Sequence, residues 1–246
     1  MFRSVTTTSA GSATIISIAS SLLEAGLIWV GTDDGNVQIT RDGGANWQNV
    51  RDNIVGLPHG IWVPDVQPSK HALGRAYVVA EDHRRGDWTP HVYVTDDYGA
   101  TWTALATPDI DGFVHAIEED PVNENLLFLG TEFGLRVSLD RGVSWQKYES
   151  GVPAVPIRDL VVHPRDADLV LGTHGRALIV LDDIRLDNDG SISEHGNSHH
   201  DQMHGRSGNV FLVNGAEQAP RVYFAPDGVE RWRLVCRPAG GLQDVL

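Results

Sequence analysis

Thr40-Arg41-Asp42-Gly43-Gly44-Ala45-Asn46-Trp47 recurs as Thr95-Asp96-Asp97-Tyr98-Gly99-Ala100-Thr101-Trp102, and again as Ser138-Leu139-Asp140-Arg141-Gly142-Val143-Ser144-Trp145. The shared pattern is Ser/Thr-x-Asp-x-Gly-x-x-Trp, with its aspartates 55 and 43 residues apart. Each element of the pattern has a physical use in a tight turn between two strands. The Asp carboxylate accepts backbone N–H groups, the Gly supplies a permissive backbone, and the Trp folds back as a large apolar plug. Three copies at one kind of turn serve architecture; an active site needs one carboxylate constellation, not three.

The flanks repeat too. Leu27–Thr32 (LIWVGT), Leu126–Thr131 (LLFLGT) and Leu169–Thr173 (LVLGT) read as one recurring strand, with Ala76–Ala80 (AYVVA) in its place in the second copy. Short β-branched runs bounded by Gly, Asp and Asn predict four strands per unit. In the third copy these are Phe113–Ile117, Leu126–Thr131, Leu135–Leu139 and Ser144–Tyr148. Thr14–Ser20 reads as the first strand of all, although Arg3 followed by the apolar Ala13–Leu23 loosely imitates a secretion leader. Helical periodicity is lacking. A four-stranded repeat of roughly 40–45 residues is the signature of a β-propeller blade, so the expected class is all-β, with about four blades in residues 1–185.

The fourth unit breaks the pattern. With Asp182 aligned on Asp140, Val180, Ile184 and Asp187 fall where Ser/Thr, Gly and Trp belong. Residues 186–208 read as a polar, His-rich loop or linker. Three strand candidates follow in 209–246, at Asn209–Val213, Arg221–Phe224 and Arg231–Cys236. These could supply the missing outer strand of the fourth blade, form a partial fifth blade or pair with the N-terminus, so completing or extending the propeller. The ring is then either closed or incomplete, the end of a longer propeller whose exposed sheet edges favour self-association.

Composition bounds the partners. Thirty-three acidic residues against 19 basic ones give a net charge of −14, which disfavours nucleic acid and anionic membranes. The single cysteine excludes an intrachain disulfide and multi-thiolate metal sites. No apolar run is long enough for a membrane-spanning helix. No cofactor is expected. The four imidazoles of His195–His204 could capture zinc or nickel, yet no regular spacing holds them; a solvated loop is the simpler reading, and no metal ligand is assigned.

The turn pattern is the Asp-box, and residues 13–185 resemble the Asp-box (BNR) propeller superfamily. The likeness is carried further by Trp29–Gly35 (WVGTDDG), Leu126–Gly134 (LLFLGTEFG) and Asp159–Arg176 (DLVVHPRDADLVLGTHGR). These resemble bacterial proteins described as glycosyl-hydrolase-like or sortilin-like. The superfamily includes sialidases, xyloglucan-degrading hydrolases, sortilin-type receptors and a photosystem assembly factor. The resemblance implies binding, with or without hydrolysis, of a neutral oligosaccharide or polysaccharide, and an extracellular or periplasmic setting. The alternatives are a non-enzymatic protein-interaction platform, or a propeller fragment without independent activity. Sialidase chemistry is disfavoured, because no Arg-Ile-Pro motif is present and the net charge repels an anionic sugar.

In hydrolases of this kind the active site lies on the face opposite the Asp-boxes, where the second and third strands of each blade meet. Those turns are Thr32–Gly35, Glu81–Pro90, Thr131–Gly134 and Thr173–Arg176, and they differ from blade to blade. Judged by Val30 to Val37 against Val79 to Val92, the second is six residues longer than the first. Asp34 and Glu132 are the candidate catalytic carboxyls by residue type. Asp33, Asp82, His83, Trp88, Phe133, His174 and Arg176 are candidate ligand-binding residues, since carboxylates accept sugar hydroxyls and aromatic rings stack on pyranoses. Ordinary polar turn residues are the plainer reading of each. On the innermost strands, Arg158 is expected to pair with Asp65 or Asp159, and His115 to be a satisfied core histidine.

Overall fold

The computed structural model describes residues 13–182, 184 and 185, and the backbone of three further strands at 210–213, 221–224 and 233–236. The first blade is β1 (Ile15–Ser20), β2 (Ile28–Thr32), β3 (Val37–Thr40) and β4 (Gln48–Asn49). The second is β5 (Trp62–Pro68), β6 (Ala76–Asp82), β7 (Asp87–Thr95) and β8 (Thr103–Ala104). The third is β9 (Val114–Glu119), β10 (Leu127–Thr131), β11 (Gly134–Ser138) and β12 (Gln146–Tyr148). The fourth has three strands, β13 (Ile157–Val162), β14 (Leu169–Thr173) and β15 (Leu178–Leu181). Every blade is an antiparallel meander in chain order, a four-bladed β-propeller arrangement. A separate three-stranded meander joins β16 (Val210–Val213), β17 (Arg221–Phe224) and β18 (Arg233–Cys236).

Successive blades pack through their innermost strands, β1 on β5, β5 on β9 and β9 on β13. Alternation along each strand sends one set of side chains to the preceding blade and the other to the next. Trp29, Val37 and Ile39 meet Val63, Val66, Ala76 and Val78 in the first core. Tyr77, Val79 and Val92 meet Ile117, Leu127 and Leu129 in the second. Phe128, Leu135 and Val137 meet Leu160, Leu169, Leu171 and Ile179 in the third. Four blades thus share three seams, and among the described residues no apolar core joins the fourth blade to the first.

The repeated motif builds one turn three times. Asp42 accepts from Asn46 N at 2.9 Å and Thr40 Oγ1 at 2.8 Å; Asp97 accepts from Thr101 N at 2.8 Å and Thr95 Oγ1 at 2.8 Å; Asp140 accepts from Ser144 N at 2.9 Å and Ser138 Oγ at 2.7 Å. The amides of Gly44, Gly99 and Gly142 donate to the same hydroxyls. Hydrogen bonds from Asn46 hold the Asp42 carboxyl down to about 2, and neighbouring donors lower Asp97.

Two of the motif tryptophans do more than cover their own turns: Trp102 and Trp145 each pack on the preceding blade. Trp102 meets Trp29 edge-on at 6.0 Å, and Trp145 donates to the Leu105 carbonyl at 3.0 Å inside the second core. The motif glycines make the approach possible. A Cβ on Gly99 would lie 2.9 Å from Val50, and one on Gly142 3.0 Å from Leu105. Trp47, in the first blade, is partly buried, and among the described residues it joins none of the three shared cores.

The hairpin between β6 and β7 runs beyond the sheet, with a 3-10 turn at His83–Arg85. The register pairs Gly31 with Val37 and Val79 with Val92. Val79 therefore corresponds to Gly31 rather than to Val30, and the hairpin is seven residues longer than its first-blade counterpart, one more than the sequence comparison from Val30 gives. The histidine cluster His195–His204 and the polar segment 186–208 lie outside the described residues.

Candidate functional site

The site lies just beyond a strand position at which neighbouring blades come close. Gly31, Gly130 and Gly172 occupy equivalent places near the ends of β2, β10 and β14, opposite Ser17, Ala116 and Asp159. A Cβ on Gly31 would lie 2.7 Å from the Val63 carbonyl oxygen of the next blade, and one on Gly130 2.6 Å from that of Ile157. Glycine is what lets the next blade's innermost strand come this close. In the second blade the same place, opposite Asp65, holds Val79, whose side chain fills the second core. Two residues further on, opposite Trp62, Glu81 stands level with Asp33, Glu132 and His174 of the other blades. A polar cleft lies there between the second and third blades.

Glu81 is 6% exposed, and its Oε2 lies 3.2 Å from Nδ1 of both His83 and His115. Neither contact is well aligned, so this oxygen and His83 Nδ1 keep hydrogen-bonding capacity in hand. His115 Nε2 lies 3.0 Å from Glu132 Oε2, and Arg158 Nη1 lies 3.1 Å from His115 Nδ1. Arg158 Nη2 is 3.9 Å from Glu132. The guanidinium thus joins the site cluster instead of pairing with Asp65 or Asp159, because β13 presents it towards β9. Burial works to raise the Glu81 carboxyl, but His115, His83 and Arg158 outweigh it and hold it below the usual value.

An aromatic shelf adjoins the cluster. His83 stacks on Phe113 at 4.7 Å, Trp88 meets the Phe113 ring at 5.2 Å, and His115 meets Phe113 edge-on at 4.8 Å. Trp88 is 54% exposed, supplied by the lengthened hairpin. Phe133 is exposed and rests on Gly112, where a Cβ would lie 2.8 Å from its ring.

Of the residues singled out from the sequence, Glu132, His83, Trp88 and Phe133 gather around this cleft. Asp34 accepts from Thr32 Oγ1 at 2.6 Å and Asn36 Nδ2 at 2.7 Å in its own hairpin, apart from the Glu132 cluster. Asp33 accepts from the Thr14 amide, and Asp82 pairs with Arg85 at 2.7 Å. His174 and Arg176 are exposed on the fourth-blade hairpin. Glu81, His115 and Arg158 are the additions. The signal for Glu81 is its place in the repeat, level with the Asp33, Glu132 and His174 that the sequence analysis singled out.

Nearer the axis, Asp65 accepts from the Ile117 amide at 2.9 Å. Burial, reinforced by Asp159 and Glu118, pushes its carboxyl up to about 8. Glu118 pairs with Lys70 and accepts from the Val162 amide. Among the described residues no three His, Cys, Asp or Glu side chains are grouped to hold a metal ion, and no helix is long and apolar enough to cross a membrane.

No protein-family model matches the chain, and no curated protein sequence does. Solved structures do. A GH74 xyloglucanase from Xanthomonas campestris is similar over 94% of this chain and 39% of its own, at 17% identity and a TM-score of 0.57. YCF48 bound to D1 peptide is similar over 92% of this chain and 67% of its own, at 20% identity and a TM-score of 0.52. YCF48 from Cyanidioschyzon merolae covers 90% of this chain at 13% identity and a TM-score of 0.52. The chain has the β-propeller fold. At these identities the likeness concerns the fold alone, and the propeller spans well under half the length of the xyloglucanase.

Proposed function

We propose that this propeller binds a neutral oligosaccharide or polysaccharide in the cleft between its second and third blades. The observation that carries the reading is the buried, under-satisfied Glu81 Oε2 beside an exposed Trp88. A carboxylate with spare acceptor capacity suits sugar hydroxyls, and an exposed aromatic face suits the apolar side of a pyranose. Glu132, accessible at the rim and oriented by His115, is the second acceptor. The charge of −14 favours an uncharged ligand over an anionic one. The GH74 neighbour's action on xyloglucan makes that class of polysaccharide the first to try.

Titration calorimetry against neutral oligosaccharides tests it. Glu81→Gln and Trp88→Ala should each weaken binding at least about tenfold, the loss of one charge-assisted hydrogen bond or one stacking contact. A folded wild-type protein that binds none of a broad neutral panel overturns it. Hydrolysis is the stronger form of the reading, with Glu132 and either Asp34 or Glu81 as the carboxyl pair. It requires that Glu132→Gln abolish release of reducing sugar while leaving the melting temperature unchanged.

A second reading is a protein-interaction surface. Trp88, Phe133 and Arg158 are all exposed around the cleft, and Trp and Arg are the residue types that anchor protein interfaces. The YCF48 neighbour, solved with a peptide, makes an extended peptide the natural probe. Saturable peptide binding that oligosaccharide fails to displace would favour it.

A further inference from the structure

Among the described residues, the propeller carries both halves of a fourth seam, and no apolar core joins them. In the first blade, Ser17 bonds the Val63 carbonyl and Ala19 packs on the first core, so Ile18 between them faces away from the second blade. Ile18 is 65% exposed and Ile15 48%. Trp47 lies on that side too, because the equivalent Trp102 and Trp145 both reach towards the preceding blade. In the fourth blade, Leu160, Leu171 and Ile179 enter the third core, so their neighbours Val161, Val170 and Val180 point outward. The register aligns those three valines in one cross-strand row. Val161 is 40% exposed. Val170 takes the place that Trp29 holds in the first blade, the place on which the next blade's tryptophan rests. Gly172 gives the same sign: a Cβ there meets only its own blade's Asp159, at 3.4 Å, whereas Gly31 and Gly130 are pressed by the blade that follows.

We propose that two copies of the chain associate head to tail, the first blade of each docking on the fourth blade of the other, to close one eight-bladed ring. A second copy is the occupant that fits, because the two unused faces are complementary in the manner of the three internal seams. One face offers a projecting tryptophan corner, the other the valine row to receive it. The contact is heterologous, and a two-fold assembly satisfies both faces of both copies at once. Eight blades is within the range of closed propellers. Each copy carries a charge of −14, so apolar burial must drive association against repulsion, and salt should tighten it.

Sedimentation equilibrium of the full chain tests this. The expected mass is twice the monomer's 26.8 kDa, with dissociation on dilution and tighter association at higher salt. Ile18→Lys and Val161→Lys, both at exposed positions that the monomer tolerates, should each give a folded monomer and weaken dimerisation at least about tenfold. Mixed together, the two variants should associate again, because one seam of the mixed pair is intact. A wild-type chain that stays monomeric at high concentration overturns the proposal. So does a dimer indifferent to Ile18→Lys, one loosened by salt, or a failure of the mixed variants to complement.

Discussion

His115 stands between two carboxylates from different blades, its Nδ1 3.2 Å from Glu81 Oε2 and its Nε2 3.0 Å from Glu132 Oε2. The imidazole arises from β9, the first glutamate from β6 and the second from the hairpin that follows β10. Side chains of three strands in two blades therefore depend on one ring that is 2% exposed. Removing it strands Glu81 in a buried position. His115→Ala should cost about 2–4 kcal/mol in urea unfolding, and adding Glu81→Gln should recover most of it. Equal costs for the single and double variants would contradict this coupling.

The three repeated Asp-Gly-Trp turns were legible because each is local: four residue types within eight positions close one turn. The strands beside them were legible from their alternation, and β16–β18 fall where the apolar runs place them. The site was only half legible. Glu132, Trp88 and His83 stand out as unusual turn residues. His115 and Arg158, read alone, look structural, since their meaning depends on which strands of neighbouring blades face each other. Glu81 is hidden by matching Val79 to Val30. With Val79 matched to Gly31, as the register requires, Glu81 falls in one column with Asp33, Glu132 and His174.

The motif glycines divide by what lies beyond them. Gly99 and Gly44 both have left-handed backbone, φ +82° and +94°. A methyl group on Gly99 would strike Val50, whereas on Gly44 it would touch only the blade's own Trp47 at 3.7 Å. Gly44→Ala should cost the backbone penalty of about 1 kcal/mol. Gly99→Ala should cost about 1–3 kcal/mol more from overpacking. Thermal melts at concentrations low enough to keep the chain monomeric would separate the two.

Trp145 and Trp47 should differ in the same sense and by more. Trp145 is 3% exposed within the second core, and its truncation to alanine should cost about 3–5 kcal/mol. Trp47→Ala, at a partly buried position outside the shared cores, should cost about 1–2 kcal/mol in the monomer. Comparable losses would mean that the first blade is covered in solution.

Asp65 gives the fold a pH dependence of predictable sign. Its carboxyl is raised to about 8, chiefly by burial, so it stays protonated in the folded chain while the unfolded chain ionises it near 4. The stability it contributes is present in full below the unfolded value and is lost as pH rises through about 8. An asparagine keeps an acceptor for the Ile117 amide and cannot ionise. Asp65→Asn should therefore match wild type near pH 4 and exceed it increasingly up to about pH 8, after which the difference levels off. Because Asp65 is only partly buried, water screens the charge, and the gap should reach about 1–2 kcal/mol rather than the full linkage value. Unfolding curves taken across that range that stay parallel for the two proteins would show that Asp65 ionises in the folded state as freely as in the unfolded chain.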